Sequence, residues 1–387
     1  MRYLSLVLLT LMLSVSAQAQ IKLSSEASIS LLTCSPGGEL YSLFGHSAIR
    51  VHDPLRGIDS VFNYGTFDFD TPNFYLKFAK GDLNYMLTYG NYARFLRSYQ
   101  YEKRSVWEQQ INFNEEEKQN FFNALVTNTR EENRYYRYDF LFDNCATRIR
   151  DIIEANVDGE LVYDQEKVED YTYREMLHLY EVNYPWIGDG LDIILGMKTD
   201  DDANAYNQMF LPDYLMLHLG HAKVVNGESK ALLGEPKTIL SFNNQDNSTG
   251  IKPALVFWLL FILSALVAYR ELKRKQAFVF LNRLFLLLTG VVGCLIFFLW
   301  FLSRHSVTGE NFNMLWAIPF NVFIALGASW FYKAKVFKVY LIFLIACAAI
   351  PVLFFWMIPQ HLPAMIYPLC LLLITRYATW YYTLTAR

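Results

Sequence analysis

The residues best able to do chemistry lie in two short stretches. The first, Asp139-Phe-Leu-Phe-Asp-Asn-Cys-Ala-Thr-Arg-Ile-Arg-Asp151, reads as an apolar strand end, an Asp-Asn break and a helix with a cysteine in its first turn. Asp143 or Asn144 caps that helix. Cys145, Ile149, Ile152 and Ile153 recur at helical spacing, so Cys145 faces the core side. A thiol there feels the positive end of the helix dipole, which lowers its pKa. The free N–H groups of the turn can also hold an oxyanion. The same spacing suits a buried cysteine that merely fills space, and spacing alone leaves both readings open.

The second stretch is Phe44-Gly-His-Ser-Ala-Ile-Arg-Val-His52. Its alternation predicts a strand, with Ala48 and its even-numbered neighbours on one face and Ile49 and Val51 on the other. Asp53-Pro54 and Arg56-Gly57 mark a turn, and Asp59-Ser-Val-Phe-Asn-Tyr-Gly65 returns as a second strand. An antiparallel hairpin then sets His46 near Asn63, Tyr64 or Thr66, any of which can orient an imidazole. His52 is expected at the solvated turn. If the Cys145 helix packs on this hairpin, a thiolate–imidazolium pair results. A structural role for a lone strand histidine stays open beside it.

Cys34 is the other cysteine of this half, and a Cys34–Cys145 disulfide is the alternative in an oxidising compartment. Cys294, Cys347 and Cys370 fall in apolar segments and are expected to pack as small apolar groups. No Cys-x-x-Cys and no His-Glu-x-x-His occurs, which argues against zinc, and no cofactor is expected.

The elements that must position these residues divide sharply. The 387 residues are enough for about two domains. A net charge of −3 argues against a nucleic-acid partner. Residues 1–19 have the basic start, short apolar run and Ala17-Gln-Ala19 site of a secretory signal peptide. Residues 20–240 are expected to form the exported domain and 241–252 a polar linker. From 253 to 385 the chain is mostly apolar, with five expected spans near 253–269, 277–302, 314–332, 336–358 and 363–383. Arg376, Pro363 and Pro368 weaken the fifth. Arg270, Lys273, Arg274 and Lys275 on one side, and Lys333, Lys335 and Lys338 likewise, place those loops in the cytoplasm and residues 20–250 outside it.

Several polar residues admit two readings each. His305, Glu310, Asn311 and Asn313, in the loop Ser303–Trp316, form either an ordinary turn or a rim facing lipid headgroups. Asn321, inside the third segment, must be bonded if buried in lipid. Asp200-Asp-Asp202 reads as a solvated helix start or a headgroup contact. Arg148 and Arg150 flank the cysteine helix, as phosphate contacts or as surface pairs. Asn114-Glu-Glu-Glu117 predicts a capped helix with Phe121, Phe122, Leu125 and Val126 as its apolar stripe. The aromatic runs Phe74–Phe78, Tyr85–Tyr89 and Tyr135-Tyr136 suit a domain core or an acyl groove.

Phe44-Gly-His-Ser-Ala-Ile-Arg-Val51, Asn63-Tyr-Gly-Thr-Phe67 and Tyr138-Asp-Phe-Leu-Phe-Asp-Asn-Cys-Ala-Thr147 resemble the motifs of the Bacteroidota-type lipoprotein N-acyltransferases (Lnb). Met209-Phe-Leu-Pro-Asp213 and Asn311-Phe-Asn-Met-Leu-Trp316 fit as well, so the resemblance covers nearly the whole chain. It implies an α+β exported domain of the circularly permuted papain-like (NlpC/P60-type) class, His before Cys, joined to an all-α transmembrane bundle in the bacterial inner membrane with the catalytic domain facing the periplasm. It implies Cys145 as nucleophile and His46 as general base, with Asn63 or Tyr64 as third member. The implied acyl donor is a membrane phospholipid, and the implied acceptor is the α-amino group of a diacylglyceryl-modified lipoprotein. Asp143, Asn144, Arg148, His305, Asn311 and Asn313 are then candidates for holding substrate. The competing readings are a membrane-tethered peptidase or amidase acting on cell-wall peptides, and a non-catalytic assembly protein with a Cys34–Cys145 bridge.

Overall fold

A computed structural model describes residues 21–243, 250–327, 332 and 335–386. The expected signal peptide and the centre of the expected linker lie outside the described residues.

The first half runs β1 (Ser28–Cys34), β2 (His46–Asp53), β3 (Ile58–Thr66), α1 (Phe74–Lys80), β4 (Asn84–Asn91), α2 (Tyr92–Tyr101), β5 (Val106–Gln110), α3 (Glu115–Asn128), β6 (Tyr135–Arg137) and α4 (Cys145–Glu154). Then follow β7 (Glu160–Val162), α5 (Tyr173–Glu181), α6 (Pro185–Ile194), α7 (Ala205–Gln208), α8 (Pro212–His221), β8 (Lys223–Asn226), β9 (Glu228–Ala231) and β10 (Lys237–Leu240). Seven strands form an antiparallel sheet in the order β10-β5-β1-β2-β3-β4-β6, and β7, β8 and β9 form a second, small sheet.

The β2–β3 hairpin follows from its alternation. Ile49 lies opposite Phe62 and His52 opposite Asp59. Ile49, Val51 and Phe62 face a core that includes Ile149 and Ile153 of α4 and Phe121, Phe122 and Leu125 of α3. Ala48 and Val61 face the other way, beneath α2. Asn114 caps α3 in a reciprocal box with Glu117. This period-2 burial fixes register, because a one-residue slip would turn every apolar side chain outward.

The second half holds α9 (Pro253–Arg274), α10 (Val279–Phe301), α11 (Asn321–Leu326), α12 (Lys335–Leu353) and α13 (Ile366–Thr385). Among the described residues, α9, α10 and α12 are the helices long and apolar enough to cross a membrane. At 1.5 Å per residue they reach about 28–35 Å, the thickness of a bilayer core. The third expected segment, 314–332, is not one continuous helix. A 3-10 turn (Phe312–Leu315) and Pro319 precede the six-residue α11. Asn321 there bonds Thr289 of α10 at 3.0 Å and accepts from Tyr340 of α12, so this amide joins helices. In α13, fully buried Arg376 bonds Asn282 of α10 at 2.8 Å and Glu271 of α9 at 2.9 Å. The charge that interrupts the fifth apolar run is thus neutralised inside the bundle.

The halves are stitched together through backbone. The last carbonyls of α6 have no acceptor role left within their helix. Asn313 donates to the carbonyls of Asp192 and Ile193, Asn311 to Ile193 at 2.8 Å, and Gln360 to Leu195 at 2.9 Å. Beyond α6, Gly196 N–H donates to Val307 O at 2.8 Å and Met197 N–H to Glu310 O at 3.2 Å. A Cβ at position 196 would stand 1.7 Å from Gly309 O, so only glycine permits this approach. Behind the seam, buried Arg174 bonds Asp192 at 2.7 Å and Asp200 at 2.8 Å. Asp200 is therefore part of an internal ion pair, and not a solvated helix start or a headgroup contact.

Candidate functional site

Cys145 is the first residue of α4, and Asn144 is its N-cap. The Asn144 side-chain oxygen accepts from the Ala146 and Thr147 amides at 2.8 and 3.0 Å, and Thr147 answers by accepting from Asn144 N–H at 2.8 Å. The Asn144 amide donates to the carbonyls of Phe140 and Phe210, each at 2.9 Å. With 3% of its surface exposed, Asn144 anchors the cysteine turn and is not free to hold substrate.

The thiol is almost closed off, with Cys145 8% exposed. Its pKa is raised by burial, against the lowering effect of the Ser47, Ala146 and Cys145 amides and of Arg104. Those amides make a small donor-lined pocket around the sulfur. Gly65 forms its floor. With φ +86° and a hypothetical Cβ only 3.5 Å from Cys145 Cβ and from Tyr138 Cε2, this bulged position favours glycine.

Ser47 connects this pocket to His46. The His46 ring is half-buried, and its Nε2 lies 3.2 Å from Asn63 Oδ1. Desolvation, aided by the Arg104 charge, takes its pKa down to about 4 against the raising effect of the Asn63 bond. The sulfur and the imidazole are not hydrogen-bonded to each other. Burial opposes the charged form of each group, acting against the helix dipole at the thiol and against the Asn63 bond at the imidazole.

The third-member candidates separate cleanly. Asn63 meets the imidazole. Tyr64, one residue on, turns into the core and its hydroxyl accepts from Asn128 at 2.9 Å, so it does not orient His46. Thr66 pairs with Thr88 at 2.7 Å. Arg104, which sequence reasoning missed, is buried with one guanidinium nitrogen lacking a hydrogen-bond partner, and its charge acts on Cys34, His46 and Cys145. Nothing in its local sequence marks it; only the sheet brings β5 beside β1.

Cys34 and Cys145 are both free thiols, so the bridged alternative does not hold. Cys34 packs with Tyr99 and Val106, and burial raises its pKa to about 12.

The remaining candidates have partners of their own. Asp143 holds Arg148 through two bonds of 2.6 and 2.8 Å, and the guanidinium lies 3.6 Å from the Tyr136 ring. Arg150 is buried against Tyr206. Asn311 and Asn313 are 1% and 0% exposed and cap α6, so neither faces headgroups. His305 bonds Phe78 O at 3.0 Å, and Ser306 bonds Asp139, whose other oxygen accepts from Leu141 and Phe142 N–H. The loop after α10 thus braces the turn that leads into Cys145.

No metal-ligating cluster of three His, Cys, Asp or Glu occurs among the described residues. No curated protein and no solved structure matches the chain. Two family models do match, one described as the Lnb N-terminal periplasmic domain over residues 15–178, the other as the Lnb transmembrane domain over residues 244–387. A first half built on a seven-stranded sheet, followed by a helical region with three helices long and apolar enough to cross a membrane, fits a periplasmic domain joined to a transmembrane one, and the chain belongs to the Lnb family.

Proposed function

We propose that this protein is a lipoprotein N-acyltransferase, moving an acyl chain from a phospholipid to the α-amino group of a diacylglyceryl-modified lipoprotein. One observation carries the reading: in an Lnb-family chain, a nearly closed-off thiol at a helix N-terminus is ringed by amide donors beside a histidine already bonded to an asparagine.

In this mechanism Asn63 Oδ1 accepts from Nε2–H of His46, which leaves Nδ1 as the base. Binding of the donor brings imidazole and sulfur into contact, as happens when resting geometry tightens on substrate. Nδ1 takes the thiol proton as sulfur attacks the ester carbonyl. The tetrahedral oxyanion is met by the amides of the cysteine turn and Ser47, with Arg104 adding positive potential. The lysophospholipid oxygen leaves with the proton from His46, giving an acyl-thioester on Cys145. The acceptor amine then attacks that carbonyl, His46 takes its proton, and the thiol is regenerated as the amide forms. Splitting the transfer replaces one hard step by two easier ones.

The reading includes a papain-like fold for the first domain, five membrane crossings, and an inner-membrane location with the site on the periplasmic side. Near-exclusion of water from the sulfur supports transfer over hydrolysis. The test is mass spectrometry of lipoprotein N-termini from cells whose chromosomal copy carries Cys145→Ala. Loss of the amide-linked chain is expected. Fully N-acylated lipoproteins in that strain, with no second such enzyme, refute the assignment.

A further inference from the structure

We propose that a row of aromatic rings from α1 to Cys145 is the path along which a phospholipid acyl chain leaves the bilayer for the thiol. The proposal rests on the acyltransferase reading. Tyr138 and the Cys145 side chain both lie against Gly65, and Tyr138 stacks on Tyr85 at 4.5 Å. Tyr85 meets Phe67 at 5.4 Å, Phe67 meets Phe74 at 5.9 Å, and Phe74 stacks on Phe78 at 6.3 Å. Phe78 ends 6.4 Å from His305, four residues beyond the end of α10.

Burial grades along this row. Tyr138 is packed against the core, whereas Phe78 is 50% exposed and the adjoining Phe69 is 62% exposed. Helix α1 buries none of its residues, and Tyr75 and Leu76 stand open beside the row. A contiguous apolar surface of this kind marks a lipid or partner site. The structure favours lipid for two reasons. First, the patch is continuous with the membrane domain: Arg304 N–H bonds Lys80 O at 2.8 Å, and Arg304 pairs with Asp82 at 3.0 Å. Second, Lys77 and Lys80 lie in the last turn of α1, next to Phe78 at the exposed end of the row, where their charge complements a phosphate headgroup while the rings receive its tail.

The experiment uses full-length protein in vesicles of phosphatidylethanolamine and phosphatidylglycerol, doped with a phosphatidylethanolamine carrying a photoreactive group near the end of one acyl chain. Cys145→Ala protein is irradiated so that no chain is consumed, and labelled peptides are mapped. Label within residues 67–85 is expected, falling about tenfold in a Phe69→Ser/Phe78→Ser variant, whose changes lie at exposed positions. Label confined to 253–385, or label undiminished in the variant, would each overturn the path. A parallel reaction with wild-type protein separates the two ideas. Acyl-Cys145 without label at 67–85 removes the path and leaves the acyltransferase. Label at 67–85 without acyl-Cys145 removes the acyltransferase and leaves a lipid-binding track.

Discussion

Replacing Asn144 by alanine should loosen the cysteine turn more than any loss of helix capping alone explains. The cap itself is worth about 1 kcal/mol. Asn144 also donates to the carbonyls of Phe140 and Phe210, and a buried carbonyl deprived of its donor costs about 1–3 kcal/mol. Together the loss is on the order of 3–7 kcal/mol. Asn144→Ser keeps an oxygen for the Ala146 and Thr147 amides and should lose only the carbonyl share. Asn144→Asp keeps the cap and gains from the helix dipole, but it turns an acceptor toward two carbonyls. Hydrogen exchange of the peptide spanning 139–150, in detergent, reads the local opening. Alanine should lower protection more than about a hundredfold, since each 1.4 kcal/mol is a factor of ten. Serine should fall between alanine and wild type. A drop under tenfold for alanine would mean that the two carbonyls find other donors and that Asn144 does not anchor the turn.

Three further outcomes follow from charge and burial. Alkylation of Cys145 by iodoacetamide should rise continuously from pH 6 to beyond the ordinary thiol value of 9, because burial raises this pKa; a plateau across pH 5–8 would reveal an ion pair with His46 instead. Glu181 is buried with neither carboxylate oxygen hydrogen-bonded, and its pKa is raised from 4.5 to about 7. A raised acid pKa stabilises the fold fully below the unfolded value and loses that contribution as pH climbs through the folded one. Glu181→Gln should therefore raise the melting temperature at pH 8, by roughly 1–3 kcal/mol of stability, and leave it unchanged at pH 5; equal shifts at both pH values would rule out titration as the cause. Arg376→Met should destabilise the bundle by about 3–5 kcal/mol by stranding Glu271, and Glu271→Met in the same chain should restore most of it. Failure of the double variant to recover in thermal denaturation would show that Arg376 acts through packing.

What the sequence disclosed depended on range. The β2–β3 hairpin, the α3 cap and the start of α4 were legible because alternation, turn residues and capping boxes are local signals. Asn63 against Tyr64 was not legible, since one residue of register decides which faces the imidazole. The state of the thiol stayed open in the sequence because a helix dipole can be inferred from position, whereas desolvation depends on what the rest of the chain lays over it. Asn311 and Asn313 looked like surface polar residues for the same reason. Their partners are main-chain carbonyls more than a hundred residues away, and backbone groups leave no trace in side-chain pattern. Arg104 and Arg174 were missed likewise, each buried by partners that only the folded sheet and helices assemble.

The seam between 192–197 and 307–313 has a consequence for how far the site can range. Had residues 241–252 been the sole connection, Cys145 could sweep a volume above the bilayer. Stitched through main chain on both sides, the two halves are tied to each other, and the seam restrains the height of the sulfur over the helices of the second half. The structure then works as a ruler: a reactive group must lie at that height to meet the thiol, whatever its chemistry. For reactants embedded in the same bilayer, the search becomes planar. The length of chain between a lipid anchor and its reactive atom then selects among them as strictly as the shape of the cleft.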